Sequence, residues 1–286
     1  MDFLQIRRLV VLAVYSDEFL AERLVLMGGN ALEIGHGLLA RSSLDVDFSI
    51  EGTFASAGAA SARLFAALRE RFAAYGLVVF DERFSEIPPD QARNTTPWWG
   101  GYRAEFKLLA HDRESLRQSR PSAANRSALP VGPGQARVYC IDISKSEYCD
   151  GKMARELDGF TVWVYSPLML VVEKLRAICQ QMPSYEALHN KRPRGRDFYD
   201  IRTIVTRLGV DLATPESRDV CRAVLAAKRV PLELLAGLED DQVREYHRTD
   251  WMRVQASVRE ELETDYDGCF DFVIREARRL HPLWME

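Results

Sequence analysis

The chain has 286 residues, 47% hydrophobic and 28% charged, so it can bury a sizeable core and does not have the composition of a disordered polymer. Its 42 acidic residues outnumber its 38 lysines and arginines, giving a formal charge of −4 and a pI near 5.9. That balance excludes a chain-wide basic footprint for nucleic acid and leaves room only for a local patch.

Residues 2–23 read as helix, with Ser16-Asp17-Glu18 as a break and restart. Two arginines, a short apolar run and no small-residue cleavage site favour a helix over a signal peptide. Leu24–Met27 is a short apolar strand, Gly28-Gly29 a turn, and 30–39 a helix. From 44 to 50 the sequence alternates strictly. Leu44, Val46, Phe48 and Ile50 take one face of a strand, Asp45, Asp47 and Ser49 the other. Residues 56–75, rich in Ala, Leu and Arg, form a helix.

Three strands follow, in "GLVVFDERF", "GYRAEFKLLAH" and "ARVYCIDIS". The polar, Pro-containing stretches 85–99 and 117–135 read as loops, which gives a mixed sheet of four or five strands. Ser166-Pro167 is an N-cap with proline at the first helical position, ahead of a stripe of Leu168, Val171, Val172, Leu175 and Ile178. "RDFYDIRTIVTRLG" is a helix closed by Gly209, and all that follows reads as helical. The fold class expected is therefore α+β: a mixed sheet flanked by helices over 1–162, then an all-α domain over 163–286. No apolar run reaches the ~20 residues of a membrane span. Cys140, Cys149, Cys179, Cys221 and Cys269 are scattered, without a C-x-x-C pair, which points to a reducing cytoplasm rather than a disulfide framework.

The chemistry centres on 24–52. Side chains at i and i+2 of a strand share a face, so Asp45 and Asp47 project together and repel each other unless a cation lies between them. Mg²⁺ takes one or two carboxylates plus phosphates. The alternative is a plain solvated strand face. Gly28-Gly29 shifts the balance, because glycine lets backbone approach a ligand and the helix beyond it presents unpaired N–H groups to phosphate.

A Gly-Gly turn, a helix and then Asp-x-Asp resembles the nucleotidyltransferase fold shared by DNA polymerase β and many small transferases. That fold takes a third carboxylate from a later strand. Asp142 in "VYCIDIS" is the first candidate and Glu105 in "RAEFKLL" the second. A narrower resemblance is to the AbiEii/AbiGii toxin family. It rests on "GGNAL", "RSSLDVDFS", "SPLMLVVEKLRAI" and "RPRGRDFYDI", and covers about residues 20–205. Asn30 departs from the family, where Thr or Ser is usual.

The resemblance implies a set of roles. Asp45, Asp47 and Asp142 hold Mg²⁺, with Mn²⁺ as the alternative. Gly28, Gly29, Asn30 and Arg41 contact the phosphates of an NTP. Lys174 neutralises the triphosphate, and Asp197 orients Lys174 or a substrate hydroxyl. Asp200 is expected to be only a first-turn helix acid. The implied activity transfers a nucleoside monophosphate to an acceptor, with tRNA leading, in a type IV toxin–antitoxin or phage-defence setting with an antitoxin partner. The rivals are a transferase acting on a small molecule and a catalytically idle binding module. "NKRPRGR" (190–196) is a candidate RNA grip, with a solvated loop as its alternative. His36, Cys140 and the Trp98-Trp99 pair read as structural.

Overall fold

A computed structural model describes residues 2–38, 45–89, 98–131, 136–257 and 265–285. The chain divides into two compact units. One comprises Met1–His36, Ser43–Ser146 and Met153–Val164, the other Gly37–Ser42, Glu147–Lys152 and Tyr165–Glu286.

In the first unit, α1 (Phe3–Tyr15) opens with a capping box between Asp2 and Gln5. Asp17 caps α2 (Glu18–Ala21), which explains the break expected at Ser16–Glu18. β1 (Leu24–Met27) leads into α3 (Gly28–Asn30), which continues as a π-helical turn over Ala31–Gly35. The helix thus begins at Gly28 rather than at Asn30. β2 (Val46–Ile50) follows, then α4 (Ala57–Ala73) capped by Ser56. Leu44, expected as the first strand residue, lies outside the described residues. β3 (Leu77–Ile87) and β4 (Gly101–Ala110) come next. The stretch expected as a loop over 117–135 is partly helical instead, containing α5 (Leu116–Ser119) and α6 (Pro121–Ser127). Proline opens α6 at its first position, where no backbone N–H is needed.

β5 (Tyr139–Ser144), β6 (Met153–Leu157) and β7 (Phe160–Val164) complete a seven-stranded sheet of order β3-β4-β5-β2-β1-β7-β6. β2 pairs with β5 and β1 with β7 in parallel, and every other neighbour is antiparallel. The expectation of four or five strands misses the β6–β7 hairpin. Its turn is Asp158-Gly159, with φ of 49° and 83°. Positive φ at both central residues is the type I′ turn that Asp-Gly favours. β6 carries no β-branched residue, and the lack of that signal hides it.

Alternation divides the sheet. Val46, Phe48, Ile141, Ile143, Ala104 and Phe106 are buried on one face, where Tyr15 of α1 packs on Phe48 and Phe72 of α4 on Phe106. Tyr15 also donates through its hydroxyl to the carbonyls of Leu24 and Trp163, 2.7 Å each, tying α1 to β1 and β7. The opposite face carries Asp47, Cys140, Asp142, Arg103 and Glu105.

The second unit is built around α7 (Pro167–Cys179), capped by Ser166. Met169 to Val172, Leu175, Ile178 and Cys179 of α7 are wholly buried. It packs on α8 (Gly195–Leu208) and α9 (Pro215–Ala227). Gly209 ends α8 in the left-handed conformation, φ 68°. α10 (Asp241–Arg248), α11 (Trp251–Ser257), α12 (Tyr266–Ala277) and two 3₁₀ segments, Leu232–Glu239 and Arg278–Trp284, complete it. Among the described residues, no helix is long and apolar enough to cross a membrane.

Candidate active site

β1 and β2 run antiparallel, and Met27 pairs with Asp47. The chain leaves β1 through Gly28 at φ +66°, and a Cβ there would lie 2.8 Å from a carboxylate oxygen of Asp47. Both facts demand glycine. The Gly-Gly turn and the Asp-x-Asp segment, apart in sequence, are thus in direct contact. Gly28 and Gly29 are half-buried, and Asp45, immediately before β2, is exposed.

Asp47 lies opposite Asp142 of the parallel neighbour β5, and Asp142 lies opposite Arg103 of β4. Arg103 donates to both carboxylate oxygens of Asp142, from Nε at 2.7 Å and Nη2 at 2.8 Å. This is the bidentate geometry that suits guanidinium to carboxylate. Glu105 pairs with Cys140. Burial pushes the Cys140 thiol up to about 11, and the carboxylates of Asp45, Glu105 and Asp142 push it the same way, with Arg103 opposing. Cys140 is thus an inert thiol. Asp45 also contributes to raising the Arg103 pKa, after the larger effect of its hydrogen bonds to Asp142. Even so, among the described residues no three His, Cys, Asp or Glu side chains are grouped to hold a metal ion.

Asn30 does not face outward towards a ligand. It is 0% exposed, its amide donates to the Asp45 carbonyl at 2.5 Å, and its oxygen accepts from Arg7 at 3.1 Å. Both ends of the side chain that the resemblance assigns to phosphate are therefore occupied within the protein. Arg41 lies outside the described residues.

The residues expected from the second unit form a cluster of another kind. The Lys174 ammonium is buried and donates to Asp197 at 3.2 Å and Asp200 at 2.7 Å. Arg194 Nε donates to the other Asp197 oxygen at 2.5 Å. Asp200, expected as an ordinary first-turn acid, is 1% exposed and is a full member of the cluster. Burial opposes ionisation of Asp197, but Arg194, Lys174 and Arg196 outweigh it and hold the carboxyl well below its usual range. Next to it, His247 Nδ1 accepts from the Arg194 backbone N–H at 2.8 Å. Burial pushes His247 down to about 4, keeping it neutral and able to accept, with Asp197 opposing and Arg194 reinforcing the shift.

The basic run 190–196 is partly absorbed by the same architecture. Lys191 donates to the carbonyls of Gln180 and Met182, 2.9 Å each, and to that of Tyr185, closing the chain beyond α7. A Cβ on Gly195 would meet the His247 carbonyl at 2.9 Å, so glycine lets α8 start against that backbone. Of the four basic residues, the side chains of Lys191 and Arg194 serve the fold, while Arg192 and Arg196 are exposed.

The family model described as nucleotidyl transferase AbiEii toxin, type IV toxin–antitoxin system, matches residues 10–272. The chain belongs to the AbiEii family. Nucleotidyl transfer is the family's activity, and this protein is a nucleotidyltransferase of a toxin–antitoxin type. Among solved structures, JHP933 from Helicobacter pylori is 16% identical, with a TM-score of 0.51, 99% of this chain and 92% of that one being covered. That is a likeness of fold. An antigenic nucleotidyltransferase-like protein from Paracoccidioides brasiliensis is 14% identical at a TM-score of 0.36, covering 77% of this chain and 92% of that one. No protein among those with curated functions matches the sequence.

With AbiEii membership in hand, the residues that sequence reasoning overlooked stand out. Arg103 follows a tyrosine in a strand and carries no motif; only the strand register reveals it. Arg7 sits inside the apolar run of α1, and a cation there was the available signal. His247 gave none. The Trp98-Trp99 pair remains divided, Trp98 half-buried and Trp99 41% exposed.

Proposed function

We propose that this AbiEii-family protein transfers a nucleoside monophosphate from an NTP to tRNA, with the sheet face around Asp45, Asp47 and Asp142 as its active site. The observation that carries the reading is the contact between the Gly28 backbone and the Asp47 carboxylate. It sets the glycine turn against the second aspartate of the Asp-x-Asp segment.

The donor set fits a divalent cation, Mg²⁺ or Mn²⁺, held by Asp45 and Asp47 with the remaining positions left to substrate phosphates. Such an ion would supply charge neutralisation on the phosphates. Gly28 and Gly29 expose backbone with no side chain to keep a phosphate away. In the reaction, an acceptor hydroxyl oxygen bonds to the α-phosphorus, the bond to pyrophosphate breaks, and the hydroxyl proton leaves. On this reading Asp142 takes that proton or joins the metal set, and Arg103, which donates to both of its oxygens, orients it and balances its charge. The cluster of Lys174, Asp197 and Asp200 is a positioning element of the helical unit rather than an open phosphate site, because its charges already satisfy one another.

One observation favours the second reading, a small-molecule acceptor: the internal use of Lys191 and Arg194 halves the basic run that would grip an RNA backbone. Incubating the protein with Mg²⁺, each labelled NTP, total RNA and a small-molecule extract separates the two. Label on tRNA is expected, lost by at least about a hundredfold in Asp47→Ala. Label on a small acceptor alone supports the rival. Nucleotide binding without transfer, unaltered by Asp47→Ala, overturns both.

A further inference from the structure

Asn30 and Arg7 form a relay that ends on the backbone of the first aspartate of Asp-x-Asp. Arg7 is 3% exposed, in the first turns of α1. Its guanidinium is fixed on three sides. Nε donates to the Phe3 carbonyl at 3.3 Å, Nη1 to Asn30 Oδ1 at 3.1 Å, and Nη2 reaches the Glu33 carboxylate at 2.7 Å. Glu33 balances the charge, so the arginine is tolerated inside. An arginine held in this way offers a planar donor of set direction.

That direction decides the orientation of the amide. With Oδ1 facing Arg7, the Asn30 NH₂ is turned towards Asp45, and it donates to that carbonyl at 2.5 Å. A carboxamide carries an acceptor and a donor group at opposite ends of one rigid plane. Thr or Ser has a single hydroxyl on a shorter stem and does not span the same two partners. Meanwhile Gly28, two residues earlier, lies against the Asp47 carboxylate. One turn therefore touches both aspartates, Asp45 through Asn30 and Asp47 through Gly28.

We infer that Asn30 is a positioning residue that sets where the Asp45 carboxylate stands, with Arg7 fixing its amide. It takes this role in place of direct contact with a phosphate. The inference rests on the proposed reading of Asp45 as a metal ligand, and it belongs with the partners that hold a ligand rather than with the ligands.

The test measures Mn²⁺ binding to the full chain by titration calorimetry, alongside kcat and KM for the NTP and near-UV circular dichroism. Asn30→Ala, with a native near-UV spectrum, is expected to bind Mn²⁺ about 10- to 100-fold more weakly. Its kcat falls while its KM for the NTP changes less. Arg7→Met moves the same way, and Arg7→Lys, which keeps a donor, recovers part of the loss. If Asn30→Ala does not fold, Asn30→Thr and the two Arg7 variants carry the comparison. Mn²⁺ affinity unchanged in the folded Asn30 variant, while Asp45→Asn binds weakly, overturns the relay alone. Wild-type Mn²⁺ affinity in Asp45→Asn overturns the metal reading on which the relay rests. A raised KM with unchanged kcat and unchanged Mn²⁺ affinity would return Asn30 to a phosphate contact and also overturn it.

Discussion

The sheet face of the first unit and the α7–α8 cluster of the second use the same ingredients, aspartates and basic side chains, to opposite ends. On the sheet face Asp45 is exposed and Asp47 and Asp142 are half-buried. Arg103 and Asp142, the pair that joins two strands there, have side chains 43% and 31% exposed. Around Lys174, the side chains of Lys174, Asp197 and Asp200 are 4% exposed or less, and the ammonium contacts both carboxylates. An open set of carboxylates can exchange its partners for a cation and phosphates. A closed set cannot do so without leaving a charge bare in the interior. Residue type alone therefore does not separate the two regions; what separates them is how deeply the charged groups are buried.

The largest expected effect breaks the closed set. Lys174→Met takes the ammonium away from Asp197 and Asp200 in the interior while Arg194 still holds Asp197, and loss of one member of a buried ion cluster costs about 3–5 kcal/mol. Urea unfolding should show that loss. A stability within about 1 kcal/mol of wild type would mean that the pairs are no stronger than surface ones, and the contrast between the regions would fall.

The next effect is a pH dependence at the edge of the closed set. The folded-state pKa of His247, about 4, lies below its ordinary 6.5. As pH falls, the unfolded chain therefore takes up this proton first. The contribution of His247 is complete above pH 6.5 and is lost between there and pH 4, about 3 kcal/mol in all. Protonation also removes the acceptor for the Arg194 N–H. Stability measured at pH 7 and pH 4.5 should differ less in His247→Asn, which keeps an acceptor near the Nδ1 position but does not titrate. Equal loss in both proteins would assign the acid sensitivity elsewhere.

What was legible in the sequence follows the range of the interactions. Local signals served well: the Ser166-Pro167 cap and Gly209 at the end of α8 appear where expected, and β2 forms from Val46 on, although Ser49 on its polar face is fully buried. Gly28-Gly29 and Asp45–Asp47 could be picked out as parts of one pattern, and the structure sets Gly28 against Asp47. Partnerships across the fold could not be read. Nothing near Asn30 announces Arg7, and nothing near Asp142 announces Arg103, because strand register and helix packing decide both. Lys174 was legible as a motif residue but not as a buried one. Its neighbours Asp197 and Asp200 look like helix-start acids until α7 is laid against α8. The run "NKRPRGR" was legible as charge, whereas the carbonyls that absorb Lys191 come from the end of α7 and the turn after it.

The smallest stability effect is the sharpest test of the open set. The Arg103–Asp142 pair is part-exposed and screened by solvent, so Asp142→Asn should alter stability by no more than about 1 kcal/mol. If the open face is where transfer occurs, the same change should lower kcat/KM far out of proportion to that. Glu105 makes the comparison exact in kind: it lies one strand away, opposite Cys140, on the same face. Glu105→Gln should leave both stability and kcat/KM near wild type. Reversal, with Glu105→Gln inactive and Asp142→Asn active, would make Glu105 the third carboxylate and reduce Arg103–Asp142 to a strand-to-strand tie. Activity retained in both would confine the chemistry to Asp45 and Asp47. Arg103→Met completes the set, because it frees Asp142 without removing it. A loss of kcat/KM there, with Asp142 still present, would show that the orientation of the carboxylate matters as well as its charge.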